Sequence, residues 1–236
     1  MALSDRPHSR VLVRFRELAR RMIRFLGGLS GRDFEYDFVY RQVVGEHLQI
    51  LDVGGCESLL PLLFAQRGHS VTVYDFREYH ERHPNLTSIQ GDFLANALPA
   101  GSFDYVVMVS AIEHVGFGSY GAPTYEDGDL KAMAQIKRVL KPSGSIIVTF
   151  PFASKEHHVP GYERWYDLAR VQRLFEGMHV LAEEYHIPEQ RVLGKVFRWV
   201  PAALEQITAH DDVVQRYGCQ CNACYTVSLT PRRNFR

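Results

Sequence analysis

The run His47 to Ser58, HLQILDVGGCES, followed by SVTVYDFR from Ser70 to Arg77, constrains the fold of this 236-residue chain more than any other segment. An apolar stretch ending in Asp52, a Gly54-Gly55 turn, a helix-length interval and a second β-branched stretch ending in Asp75 predict a βαβ unit. Glycine at a strand-to-helix turn lets the backbone approach a ligand and lets the N–H groups of the following helix face it, where a Cβ would obstruct both. An acidic side chain at the tip of the second strand can accept from two ribose hydroxyls, so the unit predicts a nucleoside site along Asp52, Gly54, Gly55, Asp75 and Phe76.

A dinucleotide fingerprint needs G-x-G-x-x-G, and this chain has Cys56, Glu57 and Ser58 where further glycines belong. Asp52 also repels a pyrophosphate and suits an ammonium group. Both features point to S-adenosylmethionine (SAM), whose amino-acid end is a zwitterion. The succession ILDVGG, VYDFR, IQGDF (Ile89 to Phe93), SFDYVVMVSAIEHVG (Ser102 to Gly116) and RVLKPSGSIIVTFP (Arg138 to Pro151) resembles the class I SAM-dependent methyltransferases, over about residues 47 to 186. Within them, SAIEHVGFGSYG with GDLKAMAQIKRVLKPSG is similar to an uncharacterised bacterial-type methyltransferase-like group with an S-x-I-E-H-x-G motif. Where that superfamily's turn reads D-x-G-x-G-x-G, Cys56 stands at the second glycine. If residue 56 takes a positive φ, a cysteine there costs about 1 kcal/mol or more.

The coarse pattern agrees with one α/β unit. Residues 10–27 read as an amphipathic helix with Val11, Phe15, Leu18 and Met22 on one face, and an aromatic segment, Phe34 to Val44, leads into the first core strand. Helices are predicted near 58–67, 127–140 and 167–177, alternating with strands near 48–53, 71–75, 87–90, 104–109 and 145–150. Val180 to Ile187 and Cys224 to Pro231 are strand-like, and KVFRWVPAALEQI between them predicts a packed cover. The expected architecture is a doubly wound, Rossmann-like α/β fold: a mainly parallel seven-stranded sheet, an antiparallel closing strand and an N-terminal helical cap or lid over 1–46, with the SAM-dependent methyltransferase domain over 47–236.

Charge narrows the partners. Lys and Arg number 27 against 27 Asp and Glu, so no global field draws the chain to nucleic acid, and a small-molecule acceptor is favoured. No apolar run approaches the ~20 residues of a bilayer span, and the N-terminus lacks a signal-peptide pattern, which makes the cytoplasm the expected location. The arginine-rich N-terminal helix suits either a cap folded on the pocket or a peripheral contact with anionic membrane, the cap being preferred. Cys219, Cys221 and Cys224 form C-x-C-x-x-C but lack an evident fourth ligand, so thiols are expected rather than a metal site, and no metal is called for.

Candidate residues follow from strand ends, where ligands bind in such sheets. By resemblance, Asp75 takes the ribose hydroxyls and Asp92 the adenine amino group, with Phe93 beside it; either aspartate could instead serve as a cap or turn residue. Ser110, Glu113 and His114 follow the fourth strand; His114 is the candidate base for an acceptor hydroxyl, Glu113 its orienting partner, and a structural histidine donating to a carbonyl the bland alternative. Tyr36, Tyr40, Tyr120, His157, His158, Arg164 and Tyr166 are candidates for acceptor binding, and either His157 or His158 is the runner-up base. The function expected is methyl transfer from SAM to a hydroxyl of a sugar, glycan precursor or secondary metabolite. N-methylation, a non-catalytic SAM-binding protein and an NAD-dependent oxidoreductase are the rivals.

Overall fold

A computed structural model describes residues 31–192, 195–208 and 221–230. The predicted helix over 10–27 and Cys219 lie outside the described residues. Among the described residues there are five α-helices: α1 (Gly31–Gln42), α2 (Leu60–Gln66), α3 (Gly128–Val139), α4 (Leu168–Leu174) and α5 (Leu204–Thr208). The strands are β1 (Gln49–Val53), β2 (Ser70–Asp75), β3 (Leu86–Gln90), β4 (Phe103–Val109), β5 (Leu140–Phe152), β6 (His157–Val159), β7 (Glu163–Trp165), β8 (His179–Val192), β9 (Lys195–Ala202) and β10 (Cys221–Ser228).

One sheet runs β3-β2-β1-β4-β5-β10-β8-β9, and β6 and β7 pair as a separate hairpin. Strands β1 to β5 are mutually parallel; β10 is antiparallel to both β5 and β8. The sheet therefore has eight strands where seven are expected. The extra one is β9, which pairs antiparallel with β8, from Tyr185 opposite Ala202 to Val192 opposite Lys195, and lies inside the segment expected as cover. It is an edge strand, where a ladder best tolerates a residue without an N–H such as Pro201.

Alternation along the central strands explains the layers. On β4, Tyr105, Val107 and Val109 face the cluster built by Phe34, Phe38 and Val39 of α1 and Leu60 and Phe64 of α2. Val106 and Met108 face the opposite cluster, with Met133 and Ile136 of α3 and Val171 and Leu174 of α4. A strand covered on both faces needs apolar residues at nearly every position, which is why FDYVVMV carries no polar/apolar rhythm. Pro61 pre-sets the first turn of α2, and the Asp167 carboxylate caps α4 by accepting from Arg170 N at 2.8 Å, a device worth about 1 kcal/mol.

The strand order reverses between β1 and β4, each connecting to the opposite side of the sheet. A crevice opens at such a switch point, at the carboxyl ends of the strands.

Candidate functional site

The crevice is an open cleft of about 200 Å³ above the ends of β1, β2 and β4. Its floor is the turn after β1. Gly54 has φ +80° and donates its N–H to the Tyr74 carbonyl at 2.9 Å; a Cβ on it would stand 2.6 Å from that of Ala111. Gly55 lies against the Asp52 carboxylate so closely that a Cβ would fall 2.0 Å from Oδ1. Positive φ thus falls on Gly54, not on Cys56, and the expected strain at the cysteine does not arise. Burial and the neighbouring Asp75 push the Cys56 thiol up to about 12, so it is no nucleophile.

Asp52 is buried and its Oδ2 has no hydrogen-bond partner among the described residues. Burial first, and then Asp75, lift its carboxyl to about 7, while the Arg32 guanidinium opposes the rise. An orphaned buried acid beneath a glycine turn is a place for a ligand cation. Asp75 accepts from Cys56 N at 3.0 Å through Oδ2 and from Arg77 N at 2.8 Å through Oδ1, which ties the turn to the tip of β2 and leaves each oxygen further lone pairs. Phe76 lines the cleft beside it.

Asp92 caps the 3-10 turn Phe93–Ala95 by accepting from Leu94 N at 2.8 Å, and it also accepts from the Tyr125 hydroxyl at 2.7 Å. The turn role and a place in the cleft coexist in this residue. Phe93 packs edge-on against Tyr74, with ring centres 5.6 Å apart.

After β4 the backbone is strained. Ser110 has φ 44° and Tyr120 φ 57°, two of the four left-handed non-glycine residues among those described, and both line the cleft. His114 lines it too; its Nδ1 lies 2.8 Å from the Tyr162 carbonyl, and its ring meets those of Tyr120 and Tyr162 edge-on at 5.2 and 4.8 Å. Because a carbonyl only accepts, Nδ1 carries the proton and Nε2 holds the lone pair. Burial lowers the His114 pKa, partly offset by that carbonyl. The Ser119 hydroxyl donates to the same carbonyl. Across the cleft mouth the Arg77 guanidinium lies over the Tyr120 ring at 4.7 Å, and Arg77 is held by Glu57 at 2.9 Å.

Several candidates sit elsewhere. Glu113 does not orient His114: it points into the interior, 2% exposed, with Oε2 unpartnered, and burial raises its pKa well above the usual range. Tyr36 does line the cleft, but Tyr40 is outside it, stacked on Phe64 and beneath Arg67. Three others after β5 are engaged away from the cleft: His158 pairs with Glu156 at 2.7 Å, Arg164 with Glu156 and Asp129, and His157 packs on Trp165. Tyr166 is fully buried against Phe150. None of these four lines the cleft. Cys221 and Cys224 are buried on β10.

Two residues of α1 escaped the sequence. Glu35, 2% exposed, accepts through Oε1 from Ser110 Oγ at 2.5 Å, Thr149 Oγ1 at 2.7 Å and Asn222 Nδ2 at 3.1 Å. Through Oε2 it accepts from Arg32 Nη1 at 3.3 Å, and the same nitrogen donates to the Val109 carbonyl at 3.2 Å. Ser110, expected to face a ligand, lines the cleft and gives its hydroxyl to Glu35. Partners 75, 114 and 187 residues distant leave no local pattern; the only cue was an Arg-x-x-Glu pair preceding the first core strand.

Residues 65–192 match the model of a family described as "Caenorhabditis protein of unknown function, DUF268". No curated protein matches the sequence. Among solved structures, the 1,6-didemethyltoxoflavin-N1-methyltransferase of Burkholderia thailandensis, with 1,6-didemethyltoxoflavin and S-adenosylhomocysteine bound, is 14% identical with TM-score 0.56, over 98% of this chain and 93% of that one. A TehB-like SAM-dependent methyltransferase of Corynebacterium glutamicum is 15% identical with TM-score 0.53, over 93% and 96%. The [4+2]-cyclase SpnF is 16% identical with TM-score 0.56, over 83% and 79%. The shared property is the fold, and a cyclase among its bearers shows that the fold alone does not set the reaction.

Proposed function

The chain belongs to the family described as Caenorhabditis protein of unknown function, DUF268, and we propose that it is a SAM-dependent methyltransferase acting on a small-molecule acceptor. The observation that carries this reading is the unpartnered Asp52 Oδ2 beneath the Gly54-Gly55 turn, with Asp75 at the neighbouring strand end: an anionic seat for an ammonium next to a seat for ribose hydroxyls. The same carboxylate, with Glu57 on the rim, opposes the pyrophosphate of a dinucleotide. Phe76 and Phe93 flank the third strand end, where a base would lie.

SAM supplies a methyl group already activated on a sulfonium, so the chain has to position two reactants and remove a proton. His114 suits the second task. Its Nδ1 is committed to Tyr162, its Nε2 is free to take a proton, and its lowered pKa keeps it unprotonated near neutrality. A neutral imidazole facing the cleft can take the proton of a hydroxyl acceptor as it attacks, so O-methylation is the reaction we assign. Thiols at Cys56 and Cys224 accord with a cytoplasmic setting.

Calorimetric titration with SAM, S-adenosylhomocysteine and NAD tests the cofactor: the first two should bind and NAD should not. The reverse would overturn the assignment. Labelled SAM incubated with fractionated metabolites then finds the acceptor.

A further inference from the structure

The wall of the cleft supplied by β4 and the loop after it, residues 108–125, differs in chemistry from the floor. Every carboxylate lining the cleft among the described residues, Asp52, Glu57, Asp75 and Asp92, comes from the ends of β1 to β3 or the turns that follow them. The β4 wall contributes no carboxylate and no carboxamide. Three of its hydroxyl protons are already committed: Ser110 donates to Glu35, Ser119 to the Tyr162 carbonyl and Tyr125 to Asp92. What this wall offers a ligand is apolar and aromatic surface, the Tyr120 hydroxyl and one basic nitrogen, His114 Nε2.

Tyr120 is placed there against the preference of its backbone. Its φ is 57°, between Gly118 at 74° and Gly121 at 80°, a region that a bulky side chain disfavours and that the two glycines enter freely. The ring stands at the cleft mouth, edge-on to His114 and under the Arg77 guanidinium, and is still 54% exposed. Strain that holds a large aromatic ring in the open marks a surface meant to be covered. A polyol against this wall would give up hydrogen bonds to water and find few replacements, whereas a planar ring would cover Tyr120 with nothing to desolvate but its own apolar face.

We infer that the acceptor is a phenol, its aromatic ring packed on Tyr120 and the apolar β4 wall and its hydroxyl directed at His114 Nε2. As the phenol oxygen takes the methyl group and the carbon–sulfur pair leaves with the thioether, the phenolic proton passes to Nε2. Burial lowers the His114 pKa, and so weak a base is better matched to a tyrosine-like hydroxyl, which ionises at about 10, than to the far less acidic hydroxyl of an alcohol. The inference rests on the proposed function for the methyl donor and adds the acceptor class.

The test is a ligand-observed NMR titration of the full chain in the presence of S-adenosylhomocysteine, with 2-naphthol, decahydro-2-naphthol, which is the saturated counterpart with the same hydroxyl, and methyl β-glucoside. The wild type should hold 2-naphthol roughly 3- to 10-fold tighter than decahydro-2-naphthol and should not bind the glucoside. Tyr120→Leu, which keeps apolar bulk and removes the ring, should erase that preference, and Tyr120→Phe should retain it. Far-UV circular dichroism checks that both variants are folded, and calorimetry should find their affinity for S-adenosylhomocysteine within about threefold of wild type. Labelled SAM should then methylate 2-naphthol in the wild type and not in His114→Ala. Binding of the saturated alcohol or the glucoside as tight as that of 2-naphthol, a preference that survives Tyr120→Leu, or no binding or methylation of 2-naphthol by a protein that holds S-adenosylhomocysteine would each overturn the phenol while leaving SAM binding in place. If 2-naphthol binds in a Tyr120-dependent way but S-adenosylhomocysteine does not bind, the aromatic site stands and the SAM assignment falls. Binding of neither overturns both.

Discussion

The loop after β4, residues 110–125, and the hairpin segment after β5, residues 153–167, leave the sheet by the same door. Each follows a parallel strand at its C-terminal end, and each is rich in histidine, tyrosine and glycine. In the first, His114 and Tyr120 line the cleft. In the second, His158 and Arg164 share Glu156, Arg164 also forms an ion pair with Asp129, Tyr166 is buried in the core, and none of these lines the cleft. Strand-end position nominates a residue for function; whether its side chain faces the cleft decides.

The sharpest way to break this comparison is to exchange its two histidines for alanine. His114→Ala should lower kcat by roughly 10²- to 10⁴-fold in a labelled-methyl assay, with cofactor affinity nearly unchanged. His158→Ala should leave kcat within about threefold. The wild-type rate should fall as pH drops through a value below 6.5, the ordinary histidine pKa, because burial lowers that of His114. A dead His158→Ala enzyme beside a working His114→Ala one would reverse the comparison.

Carboxylates give the next contrast. Asp75→Ala should weaken S-adenosylhomocysteine by about 2–3 kcal/mol, through lost ribose contacts and a loosened turn. Asp167→Ala removes the cap of α4 and should cost about 1 kcal/mol in denaturant unfolding with no change in affinity. Loss of affinity in Asp167→Ala would show that the hairpin side takes part in binding, and none in Asp75→Ala would remove Asp75 from the site.

Asp52 separates stability from binding through pH. Its carboxyl is raised from 3.8 to about 7, so the native state holds a proton that the unfolded chain releases, and stability from this group falls as pH rises from about 4 to 7. Asp52→Asn should therefore melt higher than wild type at pH 8, by about 3 °C or more, with the gap closing near pH 4. Its affinity for S-adenosylhomocysteine should drop in the same sample. A lower melting point at pH 8 would mean that the carboxylate is not an unfavourable buried charge. The smallest effect is expected from Cys56→Gly, whose position has no positive φ to relieve: affinity should stay within about twofold, and a sharp loss would give the thiol a role of its own.

The parallel core was legible because β1, β2, β4 and β5 are short apolar runs bounded by turn residues, and the glycine turn with its two aspartates marked the cleft from the same runs. Other parts were not. Glu113 and His114 are adjacent in sequence, and only the 3-10 turn Ile112–His114 turns one inward and the other outward. Tyr36 and Tyr40 lie on one helix four residues apart, yet only Tyr36 reaches the cleft, while Tyr40 stacks on Phe64 of α2. Glu35 and Arg32 read as an ordinary surface pair, because the donors that give Glu35 its meaning come from three distant strands. The strand β9 hid behind a tryptophan and a proline that suit a cover equally well.

The contact between Arg77 and Tyr120 has a kinetic meaning. Arg77 follows β2 and Tyr120 follows β4, and the sheet places β1 between them, so the contact is a bridge above the glycine turn. Anything seated on that turn lies under an arch. An exposed cation–π contact is worth about 0.5–1 kcal/mol, which leaves the arch open for roughly a sixth to a third of the time. Traffic through the cleft is slowed several-fold at most, while a bound ligand spends most of its residence roofed over and shielded from water.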